Sequence, residues 1–241
     1  MAHRHQNVYR YQGTTIMNIL NTKKLKIEMV HDIVCSWCPI GYNNIKTAIN
    51  DLTIDVDFHF LPFELNANMA NIGEPIASYF SRKMGWNENK LHEYQRSLVA
   101  TAAKSGVSID FSKRTHYYNT RNAHLLMHLV ERFDKQIELN EALIETYFKD
   151  GQDISNLTVL LNVAEKLGMN RQDTKEALIS NHLNQELEKK ISRVKALNIS
   201  SIPGFIVNEN TLVSGSNSVK YFKDTLSDFI KESSVTKVAV A

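Results

Sequence analysis

The sequence predicts an α/β protein, a small mixed sheet interrupted by a large block of helices. Three observations predict it. The only two cysteines form Cys35-Ser36-Trp37-Cys38, at the junction of an apolar strand and a helix. Period-2 alternation of apolar and polar residues occurs before and after that motif and again near Phe205. Between these stretches, from about Asn66 to Asn181, helical periodicity runs almost throughout.

Residues 1–16 carry His3, Arg4, His5 and Arg10 but no apolar h-region, so they read as a leader or disordered tail, not a secretory signal. Met17 is a plausible start of the native chain. Lys26 to Asp32 follow as a strand, with Ile27, Met29 and Ile33 alternating. Pro39 falls in the first turn of the next helix, where a missing N–H costs little. Ile40, Ile45, Ala48 and Ile49 give that helix an apolar face. Ile54, Val56, Phe58 and Phe60 alternate as a second strand, ended by Leu61-Pro62-Phe63.

The helical stretch begins with segments over 76–84 and 91–103, punctuated by Gly106. Ala123, Leu126, Met127, Val130 and Phe133 form one stripe, and Leu143, Ile144, Tyr147 and Phe148 another, stopped near Gly151. Leu157 to Leu167 form a further helix, with Ser155 as its expected cap and Gly168 as its stop. A shorter one covers 173–180.

Leu187, Ile191, Val194 and Leu197 mark the next helix. Phe205–Asn208 and Thr211–Val213 read as strands around a Glu209-Asn210 turn, and Val219 to Ile230 as a closing helix. Removing the block leaves β-α-β-α-β-β-α, the thioredoxin order, with Cys-x-x-Cys after the first strand. The expected division is therefore a thioredoxin-like domain over 17–65 and 182–232, with an inserted helical domain over 66–181. The insertion is too long for a loop and has its own apolar stripes.

At 43% hydrophobic and 22% charged, the 241 residues suit a soluble globular protein with a real core. A formal charge of +2 gives no argument for nucleic acid or an anionic membrane surface. No apolar run is long enough to span a bilayer. With no export signal and a single dithiol, the expected compartment is the cytosol, where glutathione and thioredoxin pools set the resting state of Cys35 and Cys38.

The motif asks for thiol–disulfide chemistry. Cys35 reaches a helix N-terminus, whose unpaired amides favour a thiolate. Cys38 lies one turn on, within reach of a mixed disulfide at Cys35. Zinc is a weaker reading, because it takes four ligands, often as two such cysteine pairs, and this chain has one pair. A structural disulfide closing so short a loop gains little entropy. Two inert core cysteines are the third reading, weakened by the strand–helix context.

The chain resembles the DsbA-like thiol oxidoreductases that carry an inserted helical domain, specifically the FrnE-type branch, from about Lys26 to Ile230. The resemblance rests on Asp32-Ile33-Val34-Cys35-Ser36-Trp37-Cys38-Pro39-Ile40-Gly41. It rests also on Asn119-Thr120 with Ala123-His124-Leu125, and on Tyr147-Phe148 with Gly151 and Asp153-Ile154. A third stretch is Ala196-Leu197 leading to Ser201-Ile202-Pro203-Gly204-Phe205, then Val213-Ser214-Gly215. The resemblance implies a cis-proline at Pro203 facing the dithiol. A cis X–Pro bond usually marks a tight turn. Before an edge strand it would leave the Ile202 backbone free to pair with an extended peptide. The competing reading is a trans proline that opens a strand.

Ser36 stands where the family usually has proline, and Ser36-Trp37 offers no cation to hold the Cys35 thiolate. An intermediate redox potential is the expectation. Cys35 and Cys38 are the expected catalytic residues, with Trp37, Ile202 and Pro203 binding substrate and Ser36, Pro39 and His124 around them. Asn119 and Thr120 read as a helix cap, and Glu186, Glu188, Lys189 and Lys190 as a solvated helix face. The polar pair His31-Asp32 reads as a solvated or capping strand end before a proton relay.

Neither a metal nor an organic cofactor is required; glutathione or a thioredoxin-type reductant is the expected co-substrate. Partners are protein or small-molecule thiols and disulfides and a redox partner protein. One rival is a glutathione-dependent kappa-type transferase or 2-hydroxychromene-2-carboxylate isomerase-like enzyme. That group shares the architecture but typically has one serine nucleophile, so the intact cysteine pair argues against it. The other rival is a non-catalytic binding module with a vestigial dithiol.

Overall fold

The computed structural model describes residues 24–238, with side chains through Lys231. The expected leader at 1–16 lies outside the described residues, as do residues 17–23. Strand β1 (Leu25–His31) leads through a short loop into α1 (Trp37–Leu52), which returns the chain to β2 (Val56–Pro62) in parallel with β1. This is a βαβ unit, and its loop holds the two cysteines.

The chain then forms a small β3 (Glu74–Pro75), α2 (Ile76–Met84), α3 (Glu88–Lys104), β4 (His116–Tyr117), α4 (Arg121–Glu131) and α5 (Gln136–Ile144). Strands β3 and β4 pair only with each other. A π-helical turn (Glu145–Lys149) continues α5 and is followed by α6 (Leu157–Lys166) and α7 (Arg171–Leu178). The cap of α6 is Asn156, which accepts from the Thr158 N–H; the expected cap, Ser155, donates instead to Asn71 O and Asp153.

Helix α8 (Asn181–Ala196), β5 (Gly204–Val207), β6 (Thr211–Ser214) and α9 (Val219–Val238) complete the fold. The sheet order is β2-β1-β5-β6, with β5 antiparallel to β1 and to β6. Strand β5 is thus internal, not the edge strand expected after Pro203. The β5–β6 turn uses Asn208 and Glu209, both at positive φ (48° and 68°), one residue earlier than expected.

Period-2 alternation decides which face of β1 each residue serves. Ile27 and Met29 face α1 and α9, beside Phe205, whose ring lies 5.0 Å from that of Phe222. Val30 packs on the opposite face with Leu61, Val194, Ile199 and Ile206, beneath α8. Glu28 shares that face and takes a two-pronged bond from Arg193, 2.6 Å on each oxygen. That fork holds its carboxyl below the usual range, against the opposing effect of burial.

The apolar core runs without a break from sheet to helical block: Met29, Ile33, Val34 and Cys38 share one cluster with Leu126, Tyr147 and Phe148. The charge run on α8 is not a uniformly solvated face. Lys190 pairs with Glu131, Glu186 with His128 and Arg132, and Glu188 with Arg121, all on or beside α4.

Candidate active site

The loop between β1 and α1 is a tight turn, with Cys35 N–H on Asp32 O and Cys38 N–H on Cys35 O, each at 3.1 Å. Ser36 precedes α1 and gives it no side-chain cap; the hydroxyl is buried with no partner. The positive end of α1 is therefore left to the adjacent sulfurs.

Both cysteines are free thiols, and they come within 3.2 Å of each other. Cys35 is 7% exposed and Cys38 2%. Burial pushes the Cys38 thiol well above its ordinary value, the Cys35 sulfur adds to this, and a backbone hydrogen bond from Asp32 opposes it. Cys38 therefore rests protonated.

The Ile202–Pro203 bond is cis, and the Cys35 Sγ lies 3.9 Å from Ile202 O. Gly41 makes this approach possible. A Cβ there would sit 2.8 Å from Pro203 Cγ and 3.2 Å from Ser216 Cα, so α1 packs directly on the proline turn. Trp37 is 38% exposed beside the sulfurs and its indole donates to the Tyr94 hydroxyl of α3. It is both a surface next to the dithiol and a contact with the helical block. Pro39 is buried in the first turn of α1.

His31 and Asp32 depart from the sequence expectation. They are 2% and 0% exposed, because the helical block closes over this end of β1. Asp32 Oδ2 accepts from Leu65 N–H at 2.7 Å, and Oδ1 faces His124 Nε2 at 3.4 Å. His124 Nε2 also lies 3.1 Å from Phe63 O, a geometry that places the proton on that nitrogen. Burial holds the His31 imidazole well below its ordinary value, and His124 adds to the effect. A small cavity joins Cys38 to His31, Asp32, Tyr42 and Asn140. A second shares His31 and runs past His124 and His128 to Lys190.

Arg114 escaped the sequence reading. It lies in the loop before β4, 1% exposed, with its guanidinium carbon 4.8–5.3 Å from the ring centres of Phe111, Tyr117, Tyr147 and Phe148. The π turn, closed by Asp150 N–H on Glu145 O at 3.0 Å, buries the adjacent Tyr147 and Phe148 against it. Arg114 Nη2 donates to Val34 O at 3.2 Å, one residue before Cys35. A single arginine in a loop has no periodicity to reveal it. Among the described residues, no group of three or more His, Cys, Asp or Glu is placed to hold a metal ion. No helix there is long and apolar enough to cross a membrane.

A free dithiol at a helix start, faced by a cis-proline turn and set in a thioredoxin sheet with helices inserted after β2, defines a thioredoxin-fold protein of the DsbA architecture. The chain belongs to the DSBA-like thioredoxin domain family, whose model matches residues 26–227. A relative from Bacillus subtilis (strain 168), the uncharacterized protein YwbO, is 24% identical over 204 residues, covering 84% of this chain and 96% of that one. Among solved structures, the probable DsbA oxidoreductase SCO1869 from Streptomyces coelicolor superposes with a TM-score of 0.78 at 22% identity, covering 85% and 89% of the two chains. A 2-hydroxychromene-2-carboxylate isomerase gives 0.65 at 11% identity, covering 88% and 98%. The cytosolic disulfide reductase DsbM from Pseudomonas aeruginosa, with GSH, gives 0.56 at 13% identity, covering 89% and 99%. These likenesses show the fold.

Proposed function

We propose that this protein is a dithiol–disulfide oxidoreductase that works through Cys35 and Cys38. The observation that carries the reading is the approach of the two free thiols to 3.2 Å, with the Cys35 sulfur turned to the Ile202 carbonyl. The Cys35 thiolate attacks a substrate disulfide; a Cys35–substrate bond forms and one substrate sulfur leaves and takes a proton. Cys38 then gives up its proton and attacks Cys35 Sγ. The second substrate thiol is released and the Cys35–Cys38 disulfide remains, so the substrate is reduced as the dithiol is oxidised. Asp32, which shares a cavity with Cys38, is the group placed to take that proton. The Ile202 backbone and Trp37 form the surface on which an extended thiol or disulfide substrate lies.

A reductant restores the dithiol; glutathione or a thioredoxin-type protein fits, and a cytosolic location suits both. The neighbour of this fold described as a cytosolic disulfide reductase with GSH supports that choice. Run in the opposite direction, the same steps oxidise or reshuffle thiols. The neighbour of this fold described as a 2-hydroxychromene-2-carboxylate isomerase supports a second reading, glutathione-dependent isomerase or transferase chemistry on one nucleophile.

One experiment separates them. Insulin-disulfide reduction should be lost in Cys35→Ser and Cys38→Ser alike, and Cys38→Ser should accumulate a covalent mixed disulfide visible by intact mass. Full turnover by Cys38→Ser would give the second reading the advantage.

A further inference from the structure

We propose that Arg114 is a positioning residue for the nucleophile: a buried, permanent cation, supplied by the helical block, whose negative partner is the Cys35 thiolate. The inference rests on the dithiol reading above and adds a residue to it. A guanidinium stays protonated in any protein interior. Burying a charge is costly without an opposite charge to meet it. Arg114 is 1% exposed, its Nε has no hydrogen-bond partner, and no carboxylate pairs with it among the described residues. Its contacts are four ring faces, the Val34 carbonyl and the hydroxyls of Tyr117 and Tyr147, which attract a cation but carry no net charge. Through that carbonyl the charge is fastened to the backbone of the reactive turn. Tyr94, which bonds Trp37, feels both Cys35 and Arg114 electrostatically.

The charge is also immobile. Asp110 N–H bonds Phe148 O at 2.8 Å, and Arg114 N–H bonds Asp110 O at 2.8 Å. Gly151, at φ +68°, lies so close that a Cβ would come within 2.2 Å of Lys113 O. A fixed charge in a dry site needs no reorganisation when the thiolate forms.

The ionisable groups packed around the turn make the need plain. They are Asp32, His31, His124, Cys38, Tyr94, Tyr117 and Tyr147. His31 is held neutral and Cys38 protonated by burial. Asp32 is engaged by Leu65 and His124 and supplies no positive charge. Arg114 is the cation left to meet a thiolate at Cys35. Stabilising the thiolate stabilises the reduced form and moves the potential towards the oxidising side. The Ser36-Trp37 dipeptide lacks a cation, and the helical block provides one from behind.

The test compares Cys35 alkylation by iodoacetamide against pH in the full-length chain, as wild type, Arg114→Met and Arg114→Lys, each in the Cys38→Ser background. Arg114→Met should cut the thiolate fraction at pH 6 about tenfold, the effect of losing one nearby opposite charge, and Arg114→Lys should restore most of it. Superimposable profiles for all three overturn the proposal. If Arg114→Met does not fold, Arg114→Gln, which keeps a donor for the Val34 carbonyl but no charge, takes its place: an about tenfold loss of alkylation at pH 6 supports the proposal and an unchanged profile overturns it. Insulin reduction by wild type is read separately. Reduction with an Arg114-independent profile sinks this inference alone; a depressed profile without reduction sinks only the proposed function.

Discussion

Asp32 occupies a place that its sequence position disguises. Just before Cys35 and after an apolar strand, an acid and a histidine read as a solvated strand end, yet both are buried. Their partners, Leu65 and His124, are far away in the chain. In the proposed reaction the proton of Cys38 leaves from a site 2% exposed, and Asp32 is its neighbour across a shared cavity. Asp32→Asn keeps an oxygen for the Leu65 N–H but cannot take a proton. Release of substrate thiol from a Cys35 mixed disulfide should slow by about 10²-fold, the low end for general-base loss, and rise with pH as hydroxide takes over. Alkylation of Cys35 should not slow. A stopped-flow release assay with a chromogenic thiol measures the first quantity, and an unchanged rate refutes the role. The juxtaposed dithiol was legible in the sequence because two lone cysteines in one motif leave little else to argue. Pro203 became legible through its resemblance to family members. Arg114 and the Asp32–His124 contact were not, because side chains brought together across 80 and 92 residues leave no local pattern.

At the scale of elements, periodicity performed well and termini poorly. Helix α2 spans Ile76–Met84 as its apolar spacing predicts. The misses were a cap assigned to Ser155 when Asn156 serves, and a turn displaced by one residue. Such errors arise because several small polar residues in a row can each cap or turn a chain, and packing chooses among them. The π turn at Glu145–Lys149 is invisible to a helical stripe, yet it buries Tyr147 and Phe148 side by side. Two glycines are tied to these elements by space. Gly151→Ala would drive a Cβ into the Lys113 carbonyl at 2.2 Å and force a positive φ on alanine. It should cost about 1–3 kcal/mol in urea unfolding. Gly41→Ala should cost a similar amount and also lower exchange activity, because the atom it meets is Pro203 Cγ at 2.8 Å. A wild-type midpoint for either variant would contradict this packing.

Across the whole molecule, the helical block and the sheet are joined by charge as well as by core. Glu131 on α4 meets His128 on its own helix, His59 on β2 and Lys190 on α8. The His128 bond, with Lys190 behind it and burial opposing, lowers its carboxyl from the ordinary 4.5 to about 2. A depressed acid stabilises the fold fully above its unfolded value and loses that contribution as pH falls towards its folded value. Thermal melts should therefore drop between pH 5 and pH 2 in part through Glu131, and Glu131→Gln should flatten that portion. An identical slope in the variant would show that other acids account for it.

The bond from Arg114 to the Val34 carbonyl has a practical consequence for anyone wishing to shrink the protein. Joining residue 65 to residue 181 would keep the four-stranded sheet and both sulfurs, and on paper yield a minimal thioredoxin. It would also remove the floor beneath the reactive turn, baring Asp32 and stripping the aromatic box from the core. The helices are not a lid that can be lifted off; they are the wall on which the dithiol turn is built.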